Sequence, residues 1–239
     1  MAIKRTPKKK KDTSRRRKRM LRWTLRVALG FFAVTIGWVI ILRFVNPPLT
    51  WLMVQRAIER KSDGKEWKIS KRWVKYEDLS DNLKRAALSG EDANFMKHWG
   101  FDSKAIRDAL ERNRSGGTLR GGSTISQQTA KNVFLWPRRS WVRKGFEAYF
   151  TALIEVFWGK KRILEVYLNV IETGDGIYGA EAAAQQYFGK PATSLTKREA
   201  ALIIAVLPNP RRWQPNAPTN FINRKTRTIV RYMDHYEIP

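Results

Sequence analysis

From Val27 to Leu42 every residue is apolar or small, Val-Ala-Leu-Gly-Phe-Phe-Ala-Val-Thr-Ile-Gly-Trp-Val-Ile-Ile-Leu, and this run limits the fold more than any other stretch. With Leu21 to Arg26 before it and Arg43 to Val45 after it, the segment predicts a helix of roughly 37 Å at about 1.5 Å per residue, enough to cross a bilayer core. Arg26 and Arg43 stand at its ends, where long cationic side chains snorkel to head groups. A cleavable signal peptide has a shorter apolar core and small-x-small residues at its exit, whereas Arg43-Phe-Val-Asn-Pro47 follows here. The expectation is one uncleaved transmembrane helix over residues 21–46.

Charge sets the direction of that helix. Thirteen of the 47 Lys and Arg lie in the first 26 residues, with Asp12 as the only acid there. Residues 1–20 therefore read as a disordered basic tail, held in the cytoplasm by the positive-inside rule. Residues 47–239 follow as an exported domain, which makes the chain a single-pass type II membrane protein. The tail suits anionic lipid, but the exported part keeps its own excess of cations within a formal net charge of +26. That excess calls for an anionic partner, and export favours a phosphate-bearing substrate or lipid over nucleic acid. There is no cysteine, which excludes thiol nucleophiles, disulfides and thiolate metal sites, and His98 and His235 are the only imidazoles, which disfavours a multi-histidine metal centre.

Apolar residues at three- and four-residue spacing predict helices around Trp51 to Ile58, Leu83 to Leu88, Ile106 to Leu110, Trp141 to Phe157, Ile163 to Ile171 and Ala200 to Leu207. The one expected strand is Trp67 to Tyr76. Asp102 or Ser103, and Ser140, are the expected N-caps, with Gly159 and Pro208 as stops. Trp141, Phe157 and Trp158 read as core. Asn113 to Gly122 is a Gly-rich loop that lacks the Gly-Lys-Ser/Thr ending of a Walker motif.

After that loop, Ser123 is the expected N-cap of a helix that carries Thr124, Gln128 and Lys131 on one face. A helix N-terminus with an ammonium further along can receive phosphate, although the same pattern suits a plain solvated face. Arg139, Arg143, Lys144 and Glu147 bracket the next helix, where Arg143 and Glu147 at i, i+4 also suit an ordinary intrahelical pair. Glu91 and Asp92 stand in the run Leu88-Ser-Gly-Glu-Asp-Ala-Asn-Phe-Met-Lys-His-Trp-Gly100, and Glu91 has no evident local partner. A carboxylate among cations can act as a base beside an anionic substrate.

Together these runs resemble the family 51 glycosyltransferases, the peptidoglycan polymerases, and most closely the monofunctional biosynthetic peptidoglycan transglycosylases. The resemblance rests on four ordered motifs between Pro47 and the last helix. They are Glu91-Asp92-x-x-Phe95-x-x-His98-x-Gly100, then Gly121-Gly-Ser-Thr-Ile-Ser-Gln-Gln-x-x-Lys131-Asn132, then Arg143-Lys144-x-x-Glu147, and Arg162-Ile-Leu-Glu-x-Tyr-Leu-Asn169 with Gly174-x-Gly-x-x-Gly179 and Ala182-Ala-Ala-x-x-Tyr-Phe188. It implies a mainly α, lysozyme-like helical glycosyltransferase domain behind the single transmembrane helix. The implied activity is polymerisation of lipid II into β-1,4-linked glycan in the bacterial inner membrane, with the domain in the periplasm and no transpeptidase activity.

By the same resemblance Glu91 is the general base and Glu147 the second catalytic carboxylate. Asp92, Phe95, Ser123, Thr124, Gln127, Gln128, Lys131, Asn132, Arg139, Arg143 and Lys144 bind substrate. The implied partners are lipid II, the growing glycan chain, membrane lipids and other cell-wall synthesis proteins. No cofactor is required, and Mg2+ or Mn2+ at the pyrophosphate is compatible with the family although no ligand spacing calls for it. The rivals are a lysozyme-like glycan hydrolase, which the cations disfavour because its leaving group is a neutral alcohol, and a non-enzymatic basic membrane adaptor.

Overall fold

The computed structural model describes residues 12–114, 122–138 and 140–239. The chain divides into two compact units at Ile41 and Leu42. The first is most of helix α1 (Asp12–Phe44), whose stretch Arg15–Phe44 is long and apolar enough to cross a membrane. The helix begins at Asp12, so residues 12–20 are helical and not the disordered tail expected of them. Arg and Lys are good helix formers, and a basic segment joined to an apolar helix propagates without a nucleation cost of its own. Residues 1–11 lie outside the described part.

The second unit is mainly α. Its helices are α2 (Trp51–Ser62), α3 (Asp81–Glu91), α4 (Ser103–Arg114), α5 (Ile125–Phe134), α6 (Trp141–Phe157), α7 (Gly159–Val170), α8 (Ala180–Phe188), α9 (Lys197–Ala205) and α10 (Asn220–Tyr232). Helix α7 is the central element, with Ile163, Leu164, Val166, Tyr167, Leu168 and Val170 all buried. From Ile163 onward only Glu165 and Asn169 interrupt its apolar residues, and a stretch apolar on nearly every side lies inside. It packs against α5 and α6, while α3 packs against α9 and α10.

The expected strand over Trp67 to Tyr76 shrinks to β1 (Ser70–Lys71), which runs parallel to β3 (Ile177–Tyr178), itself antiparallel to β2 (Glu172–Gly174). The β-forming composition of the segment has only a two-residue ribbon to pair with. Beyond it, Val74 N–H donates to Asn169 Oδ1 at 2.8 Å and a 3-10 turn begins at Tyr76. Helix α10 escapes the periodicity survey because Lys and Arg separate its buried Ile222, Thr226 and Ile229. Of the expected core aromatics, Trp158 is buried but Trp141 is 92% exposed, since it is the first residue of α6 and points off the packed face.

The segment that leads into the domain is tied down. The Arg162 guanidinium donates to Leu42 O (3.0 Å), Val45 O (3.1 Å) and Asn46 Oδ1 (2.9 Å). Lys71 Nζ donates to Pro48 O at 3.0 Å and also to Pro47 O.

Candidate active site

Glu91 is the last residue of α3, and its place follows from its neighbour. A Cβ on Gly90 would come 2.6 Å from Ile204 Cγ2 and 3.1 Å from Ile229 Cδ1, so only glycine lets the end of α3 press onto α9 and α10. That approach sets Glu91 Oε1 3.4 Å from Lys225 Nζ of α10, while Gln128 Nε2 of α5 donates to Oε2 at 3.1 Å. Lys225 is the partner that local sequence could not supply, because it lies 134 residues away. No spacing rule would have found it.

Asp92 caps the end of α3 and turns inward, its side chain 2% exposed. One oxygen lies 2.9 Å from His98 Nε2 and the other accepts from Ile125 N–H at 2.9 Å. The second bond puts a carboxylate on the N-terminus of α5, where exposed N–H groups and the helix dipole favour negative charge. His98 therefore fixes the turn after α3.

Phe95 is 1% exposed, edge-on to His98 with Lys160 Nζ 4.5 Å from its ring centroid. Asp92 and Phe95, both expected to bind substrate, thus have side chains spent on internal contacts. The expected cap Ser123 is corrected by the structure. Thr124 is the N-cap of α5, in a capping box in which its Oγ1 accepts from Gln127 N–H and Gln127 Oε1 accepts from Thr124 N–H, both at 3.1 Å. Thr124 Oγ1 also donates to Gly100 O at 2.6 Å. Gly100 has φ 81°, and a Cβ there would come 2.6 Å from Thr151 Cγ2. The box needs Gln three residues after its cap, which Thr124 has and Ser123 does not. Thr124 is buried, so it does not share an open face with Gln128 and Lys131.

What remains of the second motif lines a cleft of about 470 Å3. Ser123, Gln127, Gln128, Lys131 and Asn132 form one wall, and Arg143, Lys144 and Glu147 of α6 another. Trp136 and Pro137, Leu52 and Arg56 of α2, Ile171 and Glu172, and Leu207 and Pro210 complete it. Glu91 is not in the lining; it reaches the cleft across Gln128, whose side chain both lines the cavity and bonds Glu91.

Glu147 is buried and takes both neighbouring cations, Arg143 Nη1 at 3.1 Å from Oε2 and Lys144 Nζ against Oε1. The intrahelical pair expected for Arg143 and Glu147 is present, with Lys144 added to it. With Lys131 the wall holds three cations against one carboxylate, and Arg143 Nε is buried without a hydrogen-bond partner. Arg139 and most of the Gly-rich loop, residues 115–121, lie outside the described residues.

The four motifs leave out Arg56 and Glu172. Both line the cleft. Burial pushes the Glu172 carboxyl above its ordinary range, against the pull of Arg56 and Arg211. Among the described residues no group of three or more His, Asp or Glu is assembled to hold a metal ion. The two catalytic candidates are each paired with side-chain cations.

The family model described as Transglycosylase matches residues 59–234. The chain is 50% identical over 208 residues to the biosynthetic peptidoglycan transglycosylase of Stutzerimonas stutzeri strain A1501, covering 87% of this chain and 86% of that protein. It is 50% identical over 213 residues to the protein of the same name from Pseudomonas fluorescens strain Pf0-1, covering 89% of each. It is likewise 50% identical over 218 residues to that of Xanthomonas oryzae pv. oryzae, covering 90% of this chain and 89% of the relative.

Proposed function

Starting from a chain that belongs to the transglycosylase family and is a peptidoglycan glycosyltransferase of lysozyme-like helical fold, we propose that it polymerises lipid II with Glu91 as the general base. The observation that carries this reading is a carboxylate held by Gln128 and Lys225, with Gln128 linking it to a cleft whose walls are rich in cations.

In the proposed step Glu91 accepts the proton of the acceptor GlcNAc 4-hydroxyl. The freed oxygen attacks C1 of the MurNAc at the reducing end of the growing chain. The C1–O bond to pyrophosphate breaks, and the electron pair leaves on the phosphate oxygen. Attack opposite an α-linked leaving group yields the β-1,4 bond. Charge builds on the pyrophosphate as that bond breaks, so Lys131, Arg143 and Lys144 stabilise the transition state more than the ground state. Glu147 holds Arg143 and Lys144 in place for this work. Asp92, Thr124 and Phe95 act at one remove, by fixing the loop after Glu91 to the start of α5.

We further assign residues 21–46 as the anchor in the bacterial inner membrane and residues 47–239 as the periplasmic catalytic domain. A substrate carried on a polyprenyl chain then shares the plane of the enzyme, at a high effective concentration.

The test incubates the detergent-solubilised protein and Glu91→Gln with labelled lipid II and sizes the products before and after muramidase. The expected result is muramidase-sensitive polymer from the parent alone. Polymer from Glu91→Gln at the parent rate overturns the base assignment, and shortening of preformed glycan without polymer would mark a hydrolase.

A further inference from the structure

Besides Arg143, Lys144 and Glu147, the cleft is lined by a second pair of opposite charge, Arg56 and Glu172. Glu172 opens β2 and Arg56 faces it from α2. Their closest approach, Arg56 Nε to Glu172 Oε2, is 3.6 Å, beyond hydrogen-bond length. Arg56 instead donates from Nη1 to Glu59 at 2.7 Å. Arg56 Nε and Glu172 Oε1 are both buried without a hydrogen-bond partner, and so is Tyr178 Oη, on the strand paired with β2. Buried polar atoms in folded proteins are overwhelmingly bonded. A buried donor and a buried acceptor, side by side on the wall of one cleft, form a receptor for a group that brings the matching acceptor and donor.

The surroundings narrow the class of that group. Leu52, Ile171, Leu207 and Pro210 line the same cleft as the pair. Apolar side chains with a few convergent polar atoms are the usual lining of a small-ligand site. The pair nearly cancels its own charge, so it offers little to a phosphate, which Lys131, Arg143 and Lys144 already suit. A pyranose fits: its C–H faces pack on aliphatic side chains, and its hydroxyl and acetamido groups carry both donors and acceptors.

We propose that Arg56 and Glu172 form a sugar subsite in the cleft, which holds a pyranose of the growing glycan next to its pyrophosphate. Arg56 Nε donates to a sugar oxygen, and Glu172 Oε1 accepts from a hydroxyl or acetamido N–H. This assignment rests on the lipid II reading above and adds to it the residues that recognise the carbohydrate as distinct from the pyrophosphate.

The test compares two probes on the full-length protein in detergent: lipid II with a 4-deoxy GlcNAc, which cannot serve as acceptor, and bare polyprenyl pyrophosphate. Glu172→Gln and Arg56→Lys are each expected to weaken 4-deoxy lipid II by severalfold to about tenfold, the scale of one or two hydrogen bonds. Both should leave polyprenyl pyrophosphate binding and the melting temperature unchanged. Equal weakening of the two probes, or a lowered melting temperature in both variants, would make the pair a structural ion pair and overturn the subsite. Unchanged affinity for both probes would overturn it as well. If the parent protein binds neither probe, the lipid II reading itself falls, and the subsite with it.

Discussion

Replacing Asp92 should cost more than replacing any other carboxylate near the site, although its side chain does not line the cleft. It accepts two bonds, from Ile125 N–H at 2.9 Å and from His98 Nε2 at 2.9 Å, inside a pocket that leaves the side chain 2% exposed. Asp92→Ala leaves two buried donors without acceptors, at about 1–3 kcal/mol each. It also removes the charge at the α5 N-terminus, worth about 0.3–1 kcal/mol. Relief of the carboxylate's own desolvation offsets part of this, so the expected net loss is roughly 2–5 kcal/mol. For a domain of this size about 2–4 °C is lost per kcal/mol, which predicts a fall in melting temperature of roughly 5–20 °C. Asp92→Asn keeps an acceptor for Ile125 N–H and should lose about half as much. Scanning calorimetry or circular dichroism on the solubilised protein near neutral pH reads both values. A melting temperature for Asp92→Ala within about 2 °C of the parent, or a larger fall for Asp92→Asn, would refute the reasoning.

Gly90→Ala should destabilise by about 1–3 kcal/mol, because its Cβ would meet Ile204 Cγ2 at 2.6 Å. Polymerisation should fall further than stability, since α3 would have to back away from α10 and carry Glu91 with it; a variant that melts and polymerises like the parent contradicts the packing argument. Lys225→Met should lower kcat for glycan synthesis by roughly tenfold while shifting stability by less than about 1 kcal/mol, as a partly exposed ion pair does; unchanged kcat would remove Lys225 from the positioning of Glu91. Lys71 provides a pH test. Burial pushes its ammonium down from 10.5 to about 8, so the folded chain binds this proton less tightly than the unfolded chain does. Between about pH 8 and 10.5 the unfolded state holds more protons and stability rises with pH. Melting curves of the parent and Lys71→Met should therefore move in the parent's favour across that window, and a difference independent of pH would count against the burial of the charge.

The membrane-length helix and most of the domain helices are legible in the sequence because a 3.6-residue apolar period and local caps are short-range signals. Asp102, Ser140 and Gly159 act as caps and stops where the spacing puts them. The strand is misjudged because strand length depends on a partner, and the partner here is two residues long. Ser123 and Thr124 are both good caps by composition; Gln127 selects Thr124. The site is legible as four motifs, but which side chains face the cleft is not. Asp92 and Phe95 sit in the same motif as Glu91, and turn inward because the chain leaves the helix at Asp92. Lys225, Arg56 and Glu172 belong to no short pattern with Glu91 or Glu147, and only the tertiary fold brings Lys225 to Glu91 and Arg56 and Glu172 to the cleft.

Glu91 and Lys225 meet across more than half the length of the chain. Synthesis runs from the N-terminus, so the segment with Glu91 leaves the ribosome long before α10 does. A nascent chain has the acid but not the helix that steadies it, and α3 lacks one of the two surfaces it closes on. With Glu91 as the base, a chain truncated before α10 is expected to lose more activity than Lys225→Met, because it loses the surface that holds the end of α3 as well as the ammonium.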